Sequence, residues 1–448
     1  MPWAFMGIET MRRSLYAIQR SIETASHNIA NASTKGFSRQ EVTSVPTDPY
    51  AWPSMQNEQG AMQLGTGVRV QSITRIRDTY IDGQVHLASA SYGRLDQLRT
   101  TLTQAQAVFN EPADAALSDA FSSFWNAWQD VASKPDNMAS RSVLSTQTDE
   151  MVRQVREAFQ RLQDLKTDAN AKITSRVDEI NSIAPELASL NTQIRQVRNL
   201  GFEPNDMLDE RDRLLDRLSQ LTNYQQTQMA DGTMTVSIGS LLLVSQQYSA
   251  KLTDTSAITG GEIGGLKESL DSIQSVSDKF NDMVSQMITQ VNTLHKRGFD
   301  LDGNAGVDFF TGTDASSIAT NPAITNDLKL IAAGSAAGVS GDGEIAGQIA
   351  DLRRALTMTG GTISFDDYYN SFISSLGVQI QSNTAAANTQ SVIVDQVESQ
   401  RDSVSGVSLD EEMTNMLQFQ RSYEASARCM TMIDEMMQTL INKVGTGT

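Results

Sequence analysis

Near the start of the chain, Ile8, Met11, Leu15, Ile18, Ile22, Ala25 and Ile29 follow one another at alternating spacings of three and four residues. That period lays an apolar stripe along one side of a helix and is the period of a coiled-coil seam. Arg12, Arg13, Gln19, Arg20, Glu23 and Thr24 fill the positions between and read as the solvated face. The run from Ala30 to Phe37 ends the helix, with Gly36 as a left-handed cap and Lys35 beside the negative helix end. The other end of the chain repeats the pattern. Leu409, Met413, Met416, Gln420, Tyr423, Ala427 and Met430 hold the same spacing, and the seam then shifts by one position to Ile433, Met437 and Leu440. Ser408 and Glu411 form a capping box, and Asp410, Glu411 and Glu412 suit the positive helix start. Gln420 is a polar residue inside the stripe, a device that fixes register. Two matching stripes at opposite ends of a chain predict a paired coiled coil. A stripe of Met and Ala on only two helices stays under-buried until other copies or partners cover it.

Between the ends the pattern is mostly helical from about 76 to 222. Val152, Val155, Phe159 and Leu162 keep helical spacing, as do Leu187, Leu190, Ile194 and Val197. Pro185 should start or kink a helix, Gly201 should end one, and Pro204-Asn205 should begin the next. At 233–253 the period changes to that of a β-hairpin turning at Gly239-Ser240. Gly260-Gly261 and Gly264-Gly265 mark loops, and helix returns from 266 to 297. Residues 300–344 read as loops with short strands. Helices resume near 344, break at Gly360-Gly361, and run from 364 to about 400. The expected fold is mainly α with small β elements. Residues 6–45 and 405–448 form a terminal coiled-coil domain. Residues 46–299 and 345–404 form a long-helix bundle carrying the hairpin.

Charge and composition narrow the function. The chain has 448 residues and a net charge of −18. An acidic surface repels phosphate backbones, so nucleic acid is not an expected partner. No run of 18 apolar residues occurs, so nothing is expected to span a membrane. The opening MPWAFMGIETMRRSLYAIQR lacks the basic-then-apolar order of a secretory signal. The expectation is a cytosolic chain or one exported without a cleaved signal. A single cysteine, Cys429, excludes an internal disulfide and a cysteine zinc cluster, and reads as a buried, inert thiol. His27, His86 and His295 are too scattered in sequence to suggest a histidine metal site. Oxygen ligands at Asp300, Asp302, Asn304 and Asp308 have calcium-loop spacing. The loop's glycine position is Ala305 and its bidentate glutamate position is Thr311, so a turn with Asx hydrogen bonds is the better reading. In the cluster Asp206, Asp209, Glu210, Arg211, Asp212 and Arg213, Asp209 and Arg213 have the spacing of an i,i+4 ion pair. No nucleophile or base accompanies them. Gly65-Thr66-Gly67 lacks the Lys-Ser/Thr of a phosphate loop and reads as a tight turn. Neither Gly-x-Ser-x-Gly nor His-Glu-x-x-His occurs. No catalytic, cofactor-binding or metal-ligating residue is assigned, and the chain is read as a non-enzyme.

Several blocks together carry a resemblance. Asn28-Ile29-Ala30-Asn31, followed by Thr34-Lys35-Gly36-Phe37-Ser38-Arg39-Gln40, resembles the N-terminal signature of bacterial flagellar axial proteins, the rod, hook and hook-associated subunits. SLDEEMTNMLQFQRSYEASARCMTMIDEMMQTLI is similar to their C-terminal segment. Phe37-Ser38-Arg39-Gln40 narrows the resemblance to the flagellar hook-associated protein 1 family, the first junction proteins between hook and filament. Gly65-Thr66-Gly67-Val68 with Arg75, Phe124 to Asp130, Lys134-Pro135-Asp136 and Asn205 to Leu215 follow in the family's order. So do His295 to Phe310, Asn321-Pro322, Ile331-Ala332-Ala333 and Gly341-Asp342-Gly343. The chain departs from the family in two places. The β-rich outer insertion that longer members carry after Phe310 is reduced or absent at 300–344, and the family's helix would begin at Met6.

The resemblance implies a structural subunit exported by the flagellar apparatus to the extracellular flagellum, a motility component. It implies self-assembly through Ile8, Met11, Leu15, Ile18, Ile22, Ile29, Leu409, Met413, Met416, Tyr423, Met430, Ile433, Met437 and Leu440, with the terminal helices lining an inner tube. The partners it implies are copies of the chain, hook protein on one side, the second junction protein or filament on the other, and an export chaperone at the C-terminal helix. A hook or rod subunit is the nearest alternative, and a secreted calcium-binding adhesin a more distant one.

Overall fold

The computed structural model describes residues 2–51, 63–109 and 117–445. The fold is mainly α with small β elements, and the chain divides into two units, each built from several separate stretches. The first unit comprises 1–90, 179–257 and 392–448. It contains α1 (Pro2–Ala30) and a ribbon of β1 (Gln40–Pro46) with β4 (Val68–Arg75), preceded in the chain by β2 (Tyr50–Ala51) and β3 (Gln63–Leu64). The ribbon is antiparallel, pairing Gln40 with Arg75 and Pro46 with Val68, and its register shifts between Thr43 and Ser44. Helix α2 (Thr79–Phe109) starts in this unit.

Helix α3 (Leu117–Ser133) lies in the second unit, and α4 (Met138–Asn199) runs from the second unit into the first. The first unit then takes α5 (Asn205–Leu221) and an antiparallel meander of β5 (Gln225–Gln228), β6 (Met234–Ile238), β7 (Leu241–Ser245) and β8 (Tyr248–Ser249). Gly239 makes the β6–β7 turn with a positive φ of 57°. The second unit comprises 91–178 and 258–391. It holds α6 (Gly261–His295), the pair β9 (Phe310–Thr311) and β10 (Ala319–Thr320), α7 (Pro322–Asn326) and α8 (Glu344–Asp351). Helix α9 (Phe365–Ser405) begins there and returns to the first unit, where α10 (Leu409–Gly445) follows.

The second unit owns a continuous apolar core. Phe124, Trp128, Phe280, Phe309 and Phe310 are fully buried in it. Their rings meet edge-on or tilted, as in Phe109 against Phe372 at 5.1 Å and Trp128 against Phe309 at 4.9 Å, geometries that the ring quadrupole favours. Arg141 is buried here without a carboxylate within ion-pair distance. Its guanidinium donates to the carbonyls of Pro135, Leu328 and Ile331 at 2.7, 3.0 and 2.7 Å, and so ties the 328–331 turn to α4.

Three local expectations change. Pro185 does not start a helix: α4 runs through it, and Ile183 and Leu187 on either side are both buried, so packing continues across the lost hydrogen bond. Gly261, Gly264 and Gly265 lie in the first turns of α6 and not in loops. A Cβ on Gly265 would fall on the Arg94 carbonyl, so the glycine permits close approach of α2 and α6. Gly36 does take a positive φ of 85°, but α1 has already ended at Ala30 and the intervening residues form turns.

Candidate assembly surface at the paired termini

Helices α1 and α10 pack antiparallel. Gly7 faces Ile433, Ser14 Oγ lies 3.3 Å from Ser426 Oγ, and Asn28 Nδ2 donates to Glu412 Oε2 at 3.1 Å. Each step of seven along α1 is matched by a step of seven back along α10, so one register holds from end to end. The residues in these layers are small or polar on α1. Ala17, Thr24, Ala25 and Asn28 are the buried ones. On α10, Glu412 and Met437 are buried, and Met416, Phe419, Ser426, Ala427, Met430 and Ile433 are half-buried.

Part of the predicted stripe lies in this seam, with Ala25 and Met437 buried and Ile433 against Gly7, and the rest lies beside it. Ile8, Met11, Leu15, Ile18, Ile22 and Ile29 are only half-buried. On α10, Leu409, Met413 and Tyr423 are 49%, 57% and 42% exposed, and Gln420 is exposed too. The side chain of Leu440 lies outside the described ones. The offset has a physical cause. Helix α1 has a second neighbour, the β1–β4 ribbon, where Thr10 touches Gly67 and Arg13 Nη1 donates to Thr66 O at 3.2 Å. Its contact face turns between ribbon and α10, one position ahead of the large apolar residues. Register is fixed by Asn28–Glu412 and Ser14–Ser426, not by Gln420. Glu412, which the stripe misses, belongs to the pairing face.

Below the helix pair, the Ser38-Arg39-Gln40 block anchors the connection. Asn28 Nδ2 donates to Gln40 O at 2.9 Å, and Gln40 N donates back to Asn28 Oδ1 at 3.0 Å. Arg39 Nε contacts Glu412 at 2.8 Å and its Nη1 donates to Glu411 at 2.9 Å. Glu411 is therefore drawn to Arg39, while Ser408 Oγ accepts from Glu411 N at 3.4 Å, the other half of the expected capping box. Gln40 Nε2 donates to Asp206 at 3.0 Å, and Asn205 donates to Gln40 Oε1 at 3.1 Å.

Buried Asp209 accepts from Ser38 N, Ser38 Oγ and Arg75 at 3.1, 2.7 and 2.6 Å. It does not pair with Arg213, which instead reaches Glu210 at 2.5 Å on the open side of α5. Asp212 takes Arg75 and Arg77, both at 3.0 Å. Burial opposes the charge on Arg77, yet Asp212, Asp82 and Asp216 hold its guanidinium well above the usual range. Asp216 is half-buried, and desolvation would raise its pKa, but His86 at 2.9 Å and Arg401 at 3.0 Å bring it below the ordinary carboxylate value. Burial, then the charge of Asp216, pushes the neighbouring Tyr224 hydroxyl well up.

The remaining candidates resolve into local structure. Asp300 Oδ1 accepts from Asp302 N at 2.9 Å and Asn304 N at 2.8 Å, an Asx turn that engages the carboxylate with its own loop. Among the described residues, no three His, Cys, Asp or Glu gather as metal ligands. Cys429 is exposed rather than buried, because α1 covers only one face of α10. Among the described residues, no helix is long and apolar enough to cross a membrane.

Residues 102–255 and 246–310 match the model of the flagellar hook-associated protein FlgK helical domain, and residues 398–443 that of the flagellar basal body rod FlgEFG protein C-terminal. The chain is 31% identical over 507 aligned residues to flagellar hook-associated protein 1 of Bacillus subtilis (strain 168), with 100% of both chains covered. The chain belongs to the flagellar hook-associated protein 1 family. The family protein of Escherichia coli (strain K12) is 24% identical over 549 residues, covering 97% of this chain and 99% of that one. The solved flagellar hook junction protein FlgK of Burkholderia pseudomallei shares the fold. Its TM-score is 0.63 at 16% identity, over 72% of this chain and 100% of that one. Among the blocks that carry the likeness to hook-associated protein 1, Ser38-Arg39-Gln40 and Asn205 to Asp212 are those that interlock beneath the paired termini.

Proposed function

We propose that this flagellar structural subunit joins hook to filament and that its terminal helices form the assembly surface. One observation carries the reading: Ile8, Leu15 and Ile18 on α1 are only half-buried, and Leu409, Met413 and Tyr423 on α10 are exposed, after the two helices have paired. An apolar stripe left partly open on both helices is the expected form of a surface completed by neighbouring copies. On this reading, burial against neighbours in the array offsets the entropy of ordering the ends. Export without a cleaved signal, through the flagellar apparatus, fits such termini. The Met-rich face of α10 fits an export chaperone before assembly, because methionine surfaces repack readily. Hook protein on one side and the second junction protein or filament on the other complete the set of partners. The role is mechanical and not enzymatic. Domain limits of 6–45 with 405–448 for the tube-forming part, and a reduced outer insertion at 300–344, belong to the same reading. The 507-position alignment against 448 residues here supports the reduced insertion, since some positions of the relative face gaps in this chain.

The test is electron microscopy of cells lacking the chain, with flagellin assayed in the medium. Hooks without filaments and flagellin shed outside are expected. Missing hooks would move the chain to a hook or rod position, and intact filaments would overturn the reading.

A further inference from the structure

The second unit contains a recess that its own side chains do not fill. Its volume is about 130 Å³. Phe121, Trp125, Met283, Met287, Phe365 and Tyr369 form its walls, and all six are buried. Each of them is a large side chain, so the space is not left by an undersized residue. Ring contacts hold its shape: Phe121 meets Tyr369 edge-on at 6.0 Å, and Trp125 lies tilted against Phe365 at 5.9 Å. The mouth lies between α3 and the start of α9, where Ser118 and Ser122 are partly exposed and Asn370 is exposed.

Arg353 and Asp366 flank this mouth. Arg353 Nε contacts Asp366 Oδ2 at 2.6 Å, and Arg353 Nη2 donates to Ser122 Oγ at 3.3 Å. The guanidinium is therefore matched by a carboxylate and fixed in place. The other lining residues are uncharged, so the mouth holds no spare positive charge for an anion.

Apolar walls with a few polar groups at one end are the usual form of a small-molecule pocket. An apolar cavity of about 150 Å³ takes benzene, so this recess has the size of a single ring. Its aromatic walls favour an aromatic occupant over an aliphatic one, through offset and edge-on ring contacts. The thioethers of Met283 and Met287 act in the same direction. The polar mouth favours an occupant with a hydrogen-bonding group, and Asp366, whose side chain is still 39% exposed, offers a carboxylate oxygen as acceptor.

We propose that this recess binds one uncharged aromatic ring bearing a hydroxyl group, a simple phenol. The ring lies among Trp125, Phe365 and Tyr369, and the hydroxyl donates to Asp366 at the mouth. The site lies within the second unit and is independent of the assembly reading.

The test is titration of the full-length chain with phenol, followed by calorimetry and by the Trp125 indole N–H signal in the NMR spectrum, assigned with Trp125→Phe. Saturable binding that shifts this signal is expected. Cyclohexanol has a similar size without the π face, and benzoate carries a charge; each is expected to bind about tenfold more weakly. Ser122→Phe, which places a ring in the mouth, is expected to abolish phenol binding with the helical circular dichroism unchanged. Four outcomes would each overturn the proposal: no saturable binding, binding that leaves the Trp125 signal unmoved, cyclohexanol or benzoate bound as tightly as phenol, or undiminished binding by a folded Ser122→Phe chain. Where Ser122→Phe does not fold, the Trp125 signal and the comparison of the three compounds on the parent chain decide it.

Discussion

The second unit's core and the terminal helix pair use apolar residues in opposite ways. In the core, Phe124, Trp128, Phe309 and Phe310 point at one another and are sealed from water. In the pair, Gly7, Ser14 and Asn28 point at the partner helix, while Ile8, Leu15, Ile18 and Met413 look partly outward. The core is complete within one chain. The pair is complete only in the sense of register: small side chains let the backbones approach, and polar contacts fix the alignment. A fold stabilised by apolar burial and the surface proposed for neighbours are therefore separable in this molecule, and the contrast can be broken at either side.

The largest effect is expected at the core. Trp128→Ala should cost about 3–5 kcal/mol, measured by urea unfolding. A loss below about 1 kcal/mol would mean that the core is not the self-sufficient half of the comparison. Asp209→Ala should cost about 3 kcal/mol, because it removes one of the two carboxylates that hold Arg75 and leaves Ser38 N and Oγ without their buried acceptor. Thermal unfolding of the first unit would show it, and an unchanged midpoint would remove the polar knot as the anchor of the termini.

The third test is pH. Burial pushes the His295 pKa down to about 4, against the ordinary value near 6.5, even though the Val307 carbonyl favours a proton. Its Nδ1 sits 2.6 Å from Val307 O and its Nε2 accepts from Ala332 N at 2.9 Å, which together fix the neutral tautomer. The unfolded chain takes up the proton first as pH falls. Stability is therefore full above about 6.5 and falls by about 3 kcal/mol as pH drops toward 4. A His295→Gln chain whose acid sensitivity in that window matches the parent's would rule the residue out. The smallest effect on the isolated chain is expected from Ile18→Asp. It should cost the monomer about 1 kcal/mol and leave the second unit folded, yet abolish assembly and motility. Unimpaired motility would sink the outward surface.

The periods of the stripes, the α5 start at Asn205, the Gly239 turn and the mainly α class were legible along the chain, because each depends on neighbours in sequence. The direction of the α1 stripe was not. Periodicity identifies a face but not which neighbour it turns toward, and the ribbon that rotates α1 is itself a product of the tertiary fold. Asp209 shows the same limit. Arg213 was its visible partner four residues on, but Ser38 and Arg75 lie 171 and 134 positions away. Gly265 looked like loop punctuation because the nearby backbone of α2 leaves no mark on the local pattern.

The Asn28–Glu412 layer joins residues 384 positions apart. Closing so long a loop is entropically costly and slow relative to local helix formation. No growing chain can form this layer before Glu412 has been synthesised, whereas all of the second unit's residues, which end at 391, have been made by then. The register lock thus acts as a clock: the alignment of α1 with α10 is set only after the whole second unit has been made.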